Sequence, residues 1–271
     1  MAKTRISGEC KLCGNNGSLC ESHILPAFTF RWLKKRSGAN GHIRNTDSPN
    51  QRIQDGVKEY WLCVDCEALF SRDETAFANT VFHPYDAGAA HIKYSEFMLR
   101  FCTSVSWRVL KFAFGRRTDA RYSIEQRQLV EQAEARWRDF LLNRVPHPGQ
   151  FEQHVIPWGT IESTTIPDLP RNINRFLTGP ITLDIVGSSQ SLMTFAKLGP
   201  FMIFGHIQCR KRSWEGSKIS LNGGNLLPKK YVLPPSLIPL LKEKANLIEE
   251  GWSKLSDTQS RVIDENLIAK G

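Results

Sequence analysis

The 271-residue sequence predicts an α+β protein, and three observations carry that prediction. Two long stretches repeat apolar residues at helical spacing. A β-rich texture follows a run of prolines, and two Cys-x-x-Cys pairs accompany short strand-like segments near the N-terminus. Hydrophobic residues make up 41% and charged residues 23%, the balance of a chain that builds a packed core, so wholesale disorder and a membrane-bundle composition are excluded.

The elements follow in order. Residues 8–23 read as two short strands around an Asn-Gly turn, a knuckle followed by a hairpin. Residues 27–36 form a short basic helix or strand. Ser, Gly, Asn, Asp and Pro crowd residues 37–55, which therefore read as a loop. Val57 to Leu62 is a strand entering the second Cys pair, and Glu67 to Thr80 is helical in composition. Phe97, Phe101, Val105, Val109 and Phe112 mark the first long amphipathic helix. The second opens on a capping box, Ser123 with Gln126, and carries Leu129, Val130, Ala133, Trp137 and Leu141 before Pro146. Both read as a scaffold joining the two ends of the molecule.

Six prolines between positions 146 and 180 indicate an irregular connection or a domain boundary. Beyond them, Ile181 to Val186 alternates, Phe201 to Ile207 is a largely apolar run, and Lys218 to Leu221 precedes an Asn-Gly-Gly turn, so a small sheet is expected. Two tail helices follow, Pro235 to Glu250 and Asp257 to Ala269, the second opened by Ser256 with Gln259 as another capping box. The chain divides into residues 1–85, a helical segment 86–146, and a C-terminal α+β domain 147–271 whose sequence does not announce its chemistry. There is no internal repeat, no nucleotide-binding glycine fingerprint and no Gly-x-Ser-x-Gly elbow.

The longest apolar-looking stretch, Tyr94 to Gly115, carries Glu96, Arg100, Arg108 and Lys111, which would be costly in a bilayer, so no membrane association is expected. The N-terminus has positive charge but no apolar run behind it, which makes a cytoplasmic location the default expectation. The net charge is +9, and its excess is uneven: residues 1–60 hold 10 basic and 5 acidic side chains. Arg31, Lys34, Lys35 and Arg36, interleaved with Phe28, Phe30 and Trp32, suit a phosphate backbone, or else form a solvated basic face.

Four of the seven cysteines form two identical spacings, Cys10-Lys-Leu-Cys13 and Cys63-Val-Asp-Cys66, while Cys20, Cys102 and Cys209 stand apart. Each turn places two thiolates close enough to share one tetrahedral ion, and two turns complete a four-cysteine zinc site. The long gap between the pairs adds only modest loop-closure entropy. Unrelated core cysteines or a redox pair are the other readings. Neither pair follows a βαβ pattern, and the first runs into turn chemistry at Gly14-Asn15-Asn16-Gly17.

Around these pairs stand Glu21-Ser22-His23-Ile24-Leu25-Pro26 and Cys63-Val64-Asp65-Cys66-Glu67, followed by Ser71 and Glu74. In this nesting, over about residues 8–80, the sequence resembles the HNH endonuclease superfamily, the ββα-metal nucleases built on a treble-clef zinc core. The resemblance implies an N-terminal treble-clef module, with His23 in the place of the general base that takes a proton from the attacking water. An imidazole suits that task because it titrates near neutrality. Glu67 matches the position beside the family's catalytic ion, and a carboxylate there favours Mg²⁺ or Mn²⁺. Glu74, further along the same helix, is placed to assist. Three positions depart from the family pattern. Ser22 replaces the acid before the base, with Glu21 one place off. The middle Asn has no counterpart before the second Cys pair, where only Asn45, Asn50, Gln54 or Asp55 could substitute. Glu67 itself replaces the more usual His or Asn.

Two functions from different classes follow. One is a divergent HNH-like metal-dependent endonuclease acting on nucleic acid, DNA foremost, with the basic segment holding the backbone, the C-terminal part selecting a substrate or protein partner, and a role against foreign DNA implied by the resemblance. The other is a non-catalytic zinc-binding module that recognises nucleic acid or a protein partner. His23 has a purely structural reading too, as a hydrogen-bond donor fixing the hairpin or as a zinc ligand in place of a Cys. His42, His83 and His91 lack such context, and His83 is the reserve ligand.

Overall fold

The computed structural model describes residues 6–36, 41–115, 122–209 and 214–268. It is an α+β arrangement of small antiparallel sheets and helices.

Strands β1 (Ser7–Glu9) and β2 (Asn16–His23) flank the first Cys pair, so Asn16-Gly17 lies in a strand rather than at the predicted turn. The reversal is made instead by the segment from Cys10 to Asn15, where Cys10 N–H donates to Asn15 C=O and Gly14 N–H donates to Cys10 C=O. Gly14 takes φ +83° there, a conformation that a side chain would strain. Helix α1 (Ala27–Arg36) follows; it buries Phe28, Phe30 and Trp32 and ends on Lys34, Lys35 and Arg36, cations that complement the negative end of the helix. Part of the expected loop is instead a hairpin, β3 (Ile43–Asn45) with β4 (Ser48–Ile53); residues 37–40 of that loop lie outside the described residues. Strand β5 (Lys58–Cys63) pairs antiparallel with β2, giving the order β1-β2-β5.

Cys63 is the N-cap residue of helix α2 (Val64–Phe77), whose buried stripe is Cys66, Phe70, Asp73 and Phe77. One π-helical turn, Ala78–Phe82, carries the chain into α3 (His83–Asp86). After β6 (Ile92–Tyr94) comes α4 (Phe97–Gly115), the central helix of the molecule. Sequence periodicity marked one apolar face on it. Every residue from Phe101 to Leu110 is in fact buried, because α4 is enclosed by α2, α5 and the larger sheet. Its polar residues enter that core by bonding locally: Thr103 Oγ1 donates to Leu99 C=O, and Ser104 Oγ to Phe101 C=O. The predicted capping box opens α5 (Ile124–Leu141), with Ser123 Oγ accepting from Gln126 N–H at 3.1 Å.

The larger sheet comprises β7 (Gln153–Pro157), β8 (Ile181–Ser188), β9 (Ser191–Leu198) and β10 (Phe201–Cys209) in the antiparallel order β7-β10-β9-β8; α6 (Ile173–Thr178) precedes β8. Strands β9 and β10 alternate between two cores. Ala196, Leu198, Phe201 and Ile203 face α4, whereas Met193, Phe195, Met202 and Phe204 join Phe176 and Leu177 of α6. Burial on both faces removes the polar alternation that would have revealed β9 in the sequence. At Gly205 α4 approaches closely: a Cβ there would meet Ser106 Oγ at 2.5 Å.

The strand expected at Lys218–Leu221 is absent. The strand nearby is β11 (Gly224–Leu227), which spans part of the predicted turn and pairs with β6. Helices α7 (Leu237–Ser253) and α8 (Asp257–Ile268) close the described chain; α7 adds Leu237, Leu241 and Ala245 to the second core, and Ala269 lies outside the described residues. The Ser256 box is half formed. Ser256 Oγ accepts from Gln259 N–H at 3.4 Å, but Gln259 Oε1 accepts from Arg44 at 2.6 Å, a charge-assisted bond, and the Ser256 N–H donates instead to Asn50 Oδ1 at 2.9 Å. Among the described residues no helix is long and apolar enough to cross a membrane.

Candidate functional site

The knuckle between β1 and β2 presents Cys10 and Cys13, and the junction of β5 with α2 presents Cys63 and Cys66. Their four sulfurs lie within 4.8 Å of one another. Cys13 and Cys63 Sγ are 3.8 Å apart. A tetrahedral ion with bonds of about 2.3 Å to sulfur holds its ligands about 3.8 Å apart, so the set fits one such ion. Cys63 N–H points at Cys10 Sγ from 3.4 Å, an amide directed at a thiolate. Burial opposes ionisation of Cys10, but backbone hydrogen bonds from Cys13, Cys63 and Leu12 outweigh it and bring the thiol down to about 7. Burial and the neighbouring sulfurs push the Cys66 thiol up, and burial does the same to Cys13. Four thiolates in so small a space need a cation among them. The cluster can therefore hold a metal ion, and its all-sulfur donor set is consistent with zinc. Cys20, Cys102 and Cys209 are not among its ligands.

His23 closes β2. Its Nε2 lies 2.9 Å from Asp55 Oδ2, an ion-pair distance, although the N–H does not point along that line. The ring stacks on Phe30, and its main-chain carbonyl accepts from Arg108 Nη1 at 2.9 Å. Lys58 Nζ is 3.0 Å from the same Asp55 oxygen and 3.4 Å from Glu21. Burial alone would raise the Asp55 carboxyl, but Lys58 and His23 hold it down at about 2. Of the four loop residues weighed for the missing middle position, Asp55 is the one beside His23.

Glu67 stands elsewhere. Its Oε2 accepts from Ser22 Oγ at 2.5 Å, and Ser22, one residue before His23 on the strand, points to the opposite side. The structure therefore joins Glu67 to Ser22 and His23 to Asp55. Among the described residues neither His23 nor Glu67 belongs to a group of three metal-binding side chains. Glu74 is taken by Arg108, whose Nη2 lies 2.7 Å from its carboxylate, and Ser71 is exposed. His83 is exposed and set edge-on to Phe28 and Phe82.

The basic segment is the C-terminal two-thirds of α1. Arg31 and Lys35 are exposed and four residues apart, hence on one face. Arg36 pairs with Asp86 at 2.7 Å and lies over the Trp32 ring, and Lys34 donates to Gln54 C=O, so these two also tie α1 to its neighbours.

Sequence reasoning passed over a second group, Glu152, His154 and His206, whose ligand atoms also lie within 4.8 Å of one another. Its signal is faint: Glu152 and His154 are two apart, the spacing of one strand face, but His206 is distant in sequence. Compared with family models, with curated proteins and with solved structures, the chain gives no match.

Proposed function

We propose that the chain is a divergent HNH-like endonuclease whose N-terminal part is a treble-clef module held by zinc on Cys10, Cys13, Cys63 and Cys66. The observation that carries this reading is the His23–Asp55 pair at the end of the strand leading out of the first cysteine turn. A carboxylate beside an imidazole stabilises the imidazolium formed when the ring takes a proton. His23 is then the base that deprotonates water attacking a phosphodiester, the Asp55 carboxylate beside it offsets the charge it gains, and Arg108 fixes its main chain. Arg31 and Lys35 offer the phosphate backbone an exposed cationic face. A Mg²⁺ or Mn²⁺ ion would stabilise charge on phosphate and leaving oxygen. The carboxylates nearest His23 share Lys58 and do not assemble an ion cage, so no step here passes through that ion.

The test incubates supercoiled plasmid and single-stranded DNA with the full chain and Mg²⁺ or Mn²⁺. His23→Ala should lower cleavage by about 100-fold or more, the typical worth of a positioned base. Undiminished cleavage by that variant overturns the assignment. A second reading, a non-catalytic zinc platform for nucleic acid or a protein partner, is favoured by the Ser22–Glu67 bond, which occupies the residue the family pattern puts beside its ion. Retarded DNA mobility with no cleavage under any of these conditions selects it.

A further inference from the structure

We propose that Glu152, His154 and His206 form a second metal site, for a divalent transition-metal ion, separate in residues and in donor chemistry from the four-cysteine cluster. It does not rest on the nuclease reading. The strand geometry supplies the convergence. His154 of β7 pairs with Phe204 of β10, and His206 N–H donates to Glu152 C=O. Glu152, directly before β7, and His154 are two apart and so point to one face; His206 stands opposite Glu152 and diagonal to His154. The two imidazoles stack with centroids 4.1 Å apart, and Trp214 closes over both. A cavity of about 700 Å³, with Gln208 and Lys218 also on its wall, opens onto the group.

Three further observations point to a cation. The histidines are 3% and 5% exposed, and the Nε2 of each is buried with no hydrogen-bond partner. A polar atom in that state is costly unless something outside the chain satisfies it. The tautomer of His154 can be read from its neighbour: Ser217 Oγ donates to Trp214 C=O, which leaves the hydroxyl oxygen to accept from His154 Nδ1–H at 2.9 Å. His154 Nε2 then carries a lone pair, and it faces Glu152 Oε2 from 3.4 Å. In that tautomer the ring nitrogen and the carboxylate face each other as two acceptors with no hydrogen between them. A metal ion resolves the conflict: tetrahedral bonds of about 2.1 Å separate ligand atoms by about 3.4 Å. Ser217 behind His154, and Lys218 on the other oxygen of Glu152, are the outer partners that fix ligand orientation. Two imidazoles and one carboxylate suit Zn²⁺, Fe²⁺ or Co²⁺. Three protein donors leave at least one position for water or a substrate atom on the cavity side.

The test titrates Co²⁺ into the full chain with zinc retained on its cysteines. One further equivalent of Co²⁺ should bind, with weak visible absorption and without the sulfur-to-metal band that marks thiolate ligation. Glu152→Gln, at the partly exposed rim, and His206→Gln should each weaken that equivalent by about 100-fold or more while leaving the zinc in place. Glu152→Gln decides the matter if His206→Gln fails to fold. No uptake beyond the cysteine-bound ion, or binding unchanged in a folded Glu152→Gln, overturns the proposal.

Discussion

Replacing Arg108 with Met removes the charge that ties three elements together while keeping much of the side-chain volume. Its side chain is 4% exposed. It lies 2.7 Å from Glu74 on α2, donates to His23 C=O at 2.9 Å and to Ser104 C=O at 3.2 Å, and sits over the Phe70 ring. The variant strands the Glu74 carboxylate, itself 19% exposed, and leaves the His23 carbonyl without its donor. Removing one partner of a buried ion pair costs about 3–5 kcal/mol. For a chain of this size each kcal/mol shifts the melting temperature by about 2 °C, so calorimetry should record a fall of about 6–10 °C. Glu74→Gln added to Arg108→Met neutralises the stranded group, and the double variant should recover about 1–3 kcal/mol relative to the sum of the single changes. A destabilisation below about 1 kcal/mol in Arg108→Met, or strict additivity of the two changes, would refute the view that this pair organises the end of β2.

Three further outcomes are expected. Cys63→Ser should abolish metal binding at the four-cysteine cluster and unfold the N-terminal part, since an ion held there would contribute folding energy; a soluble variant with unchanged melting temperature and metal content rules the centre out. Asp55 has a folded value near 2 against an ordinary 3.8, so it favours the folded state above about pH 4, and this contribution fades as pH falls toward 2. Asp55→Asn should flatten that acid-side decline in stability, and superimposable melting profiles against pH would contradict the pairing. Replacing Arg31 and Lys35 with Glu should weaken binding of the chain to duplex DNA and lower its salt slope by about one unit for each phosphate no longer neutralised; an unchanged slope places the nucleic-acid surface elsewhere.

Features carried by near neighbours in the chain were legible before the structure. The Ser123–Gln126 cap and the strand into Cys63 each depend on residues a few positions apart, whereas residues 27–36 read as helix or strand alike until the structure made them a helix. The hairpin of β3 and β4 escaped because Ser48, Pro49, Asn50 and Gln51 have loop chemistry, and the pairing of Ile43 with Ile53, Arg44 with Arg52 and Asn45 with Ser48 decides the state of the segment. Strand β9 escaped for the opposite reason, being buried on both faces.

The candidate sites divide in the same way. Matching Cys-x-x-Cys spacings point to a shared ion, so the sequence by itself singled out the four cysteines whose sulfurs the structure brings within 4.8 Å of one another, as well as the α+β class and the position of His23 at a strand end. The partners of the charged groups were decided by tertiary structure. Side-chain alternation along β2 sends Ser22 to Glu67 and His23 toward Asp55, and Glu74 is claimed by Arg108 from the central helix. The meeting of Glu152 and His154 with His206 exists only because β7 and β10 pair in one register. A shift of one residue would turn His206 to the other face, and no local signal in the chain sets that pairing.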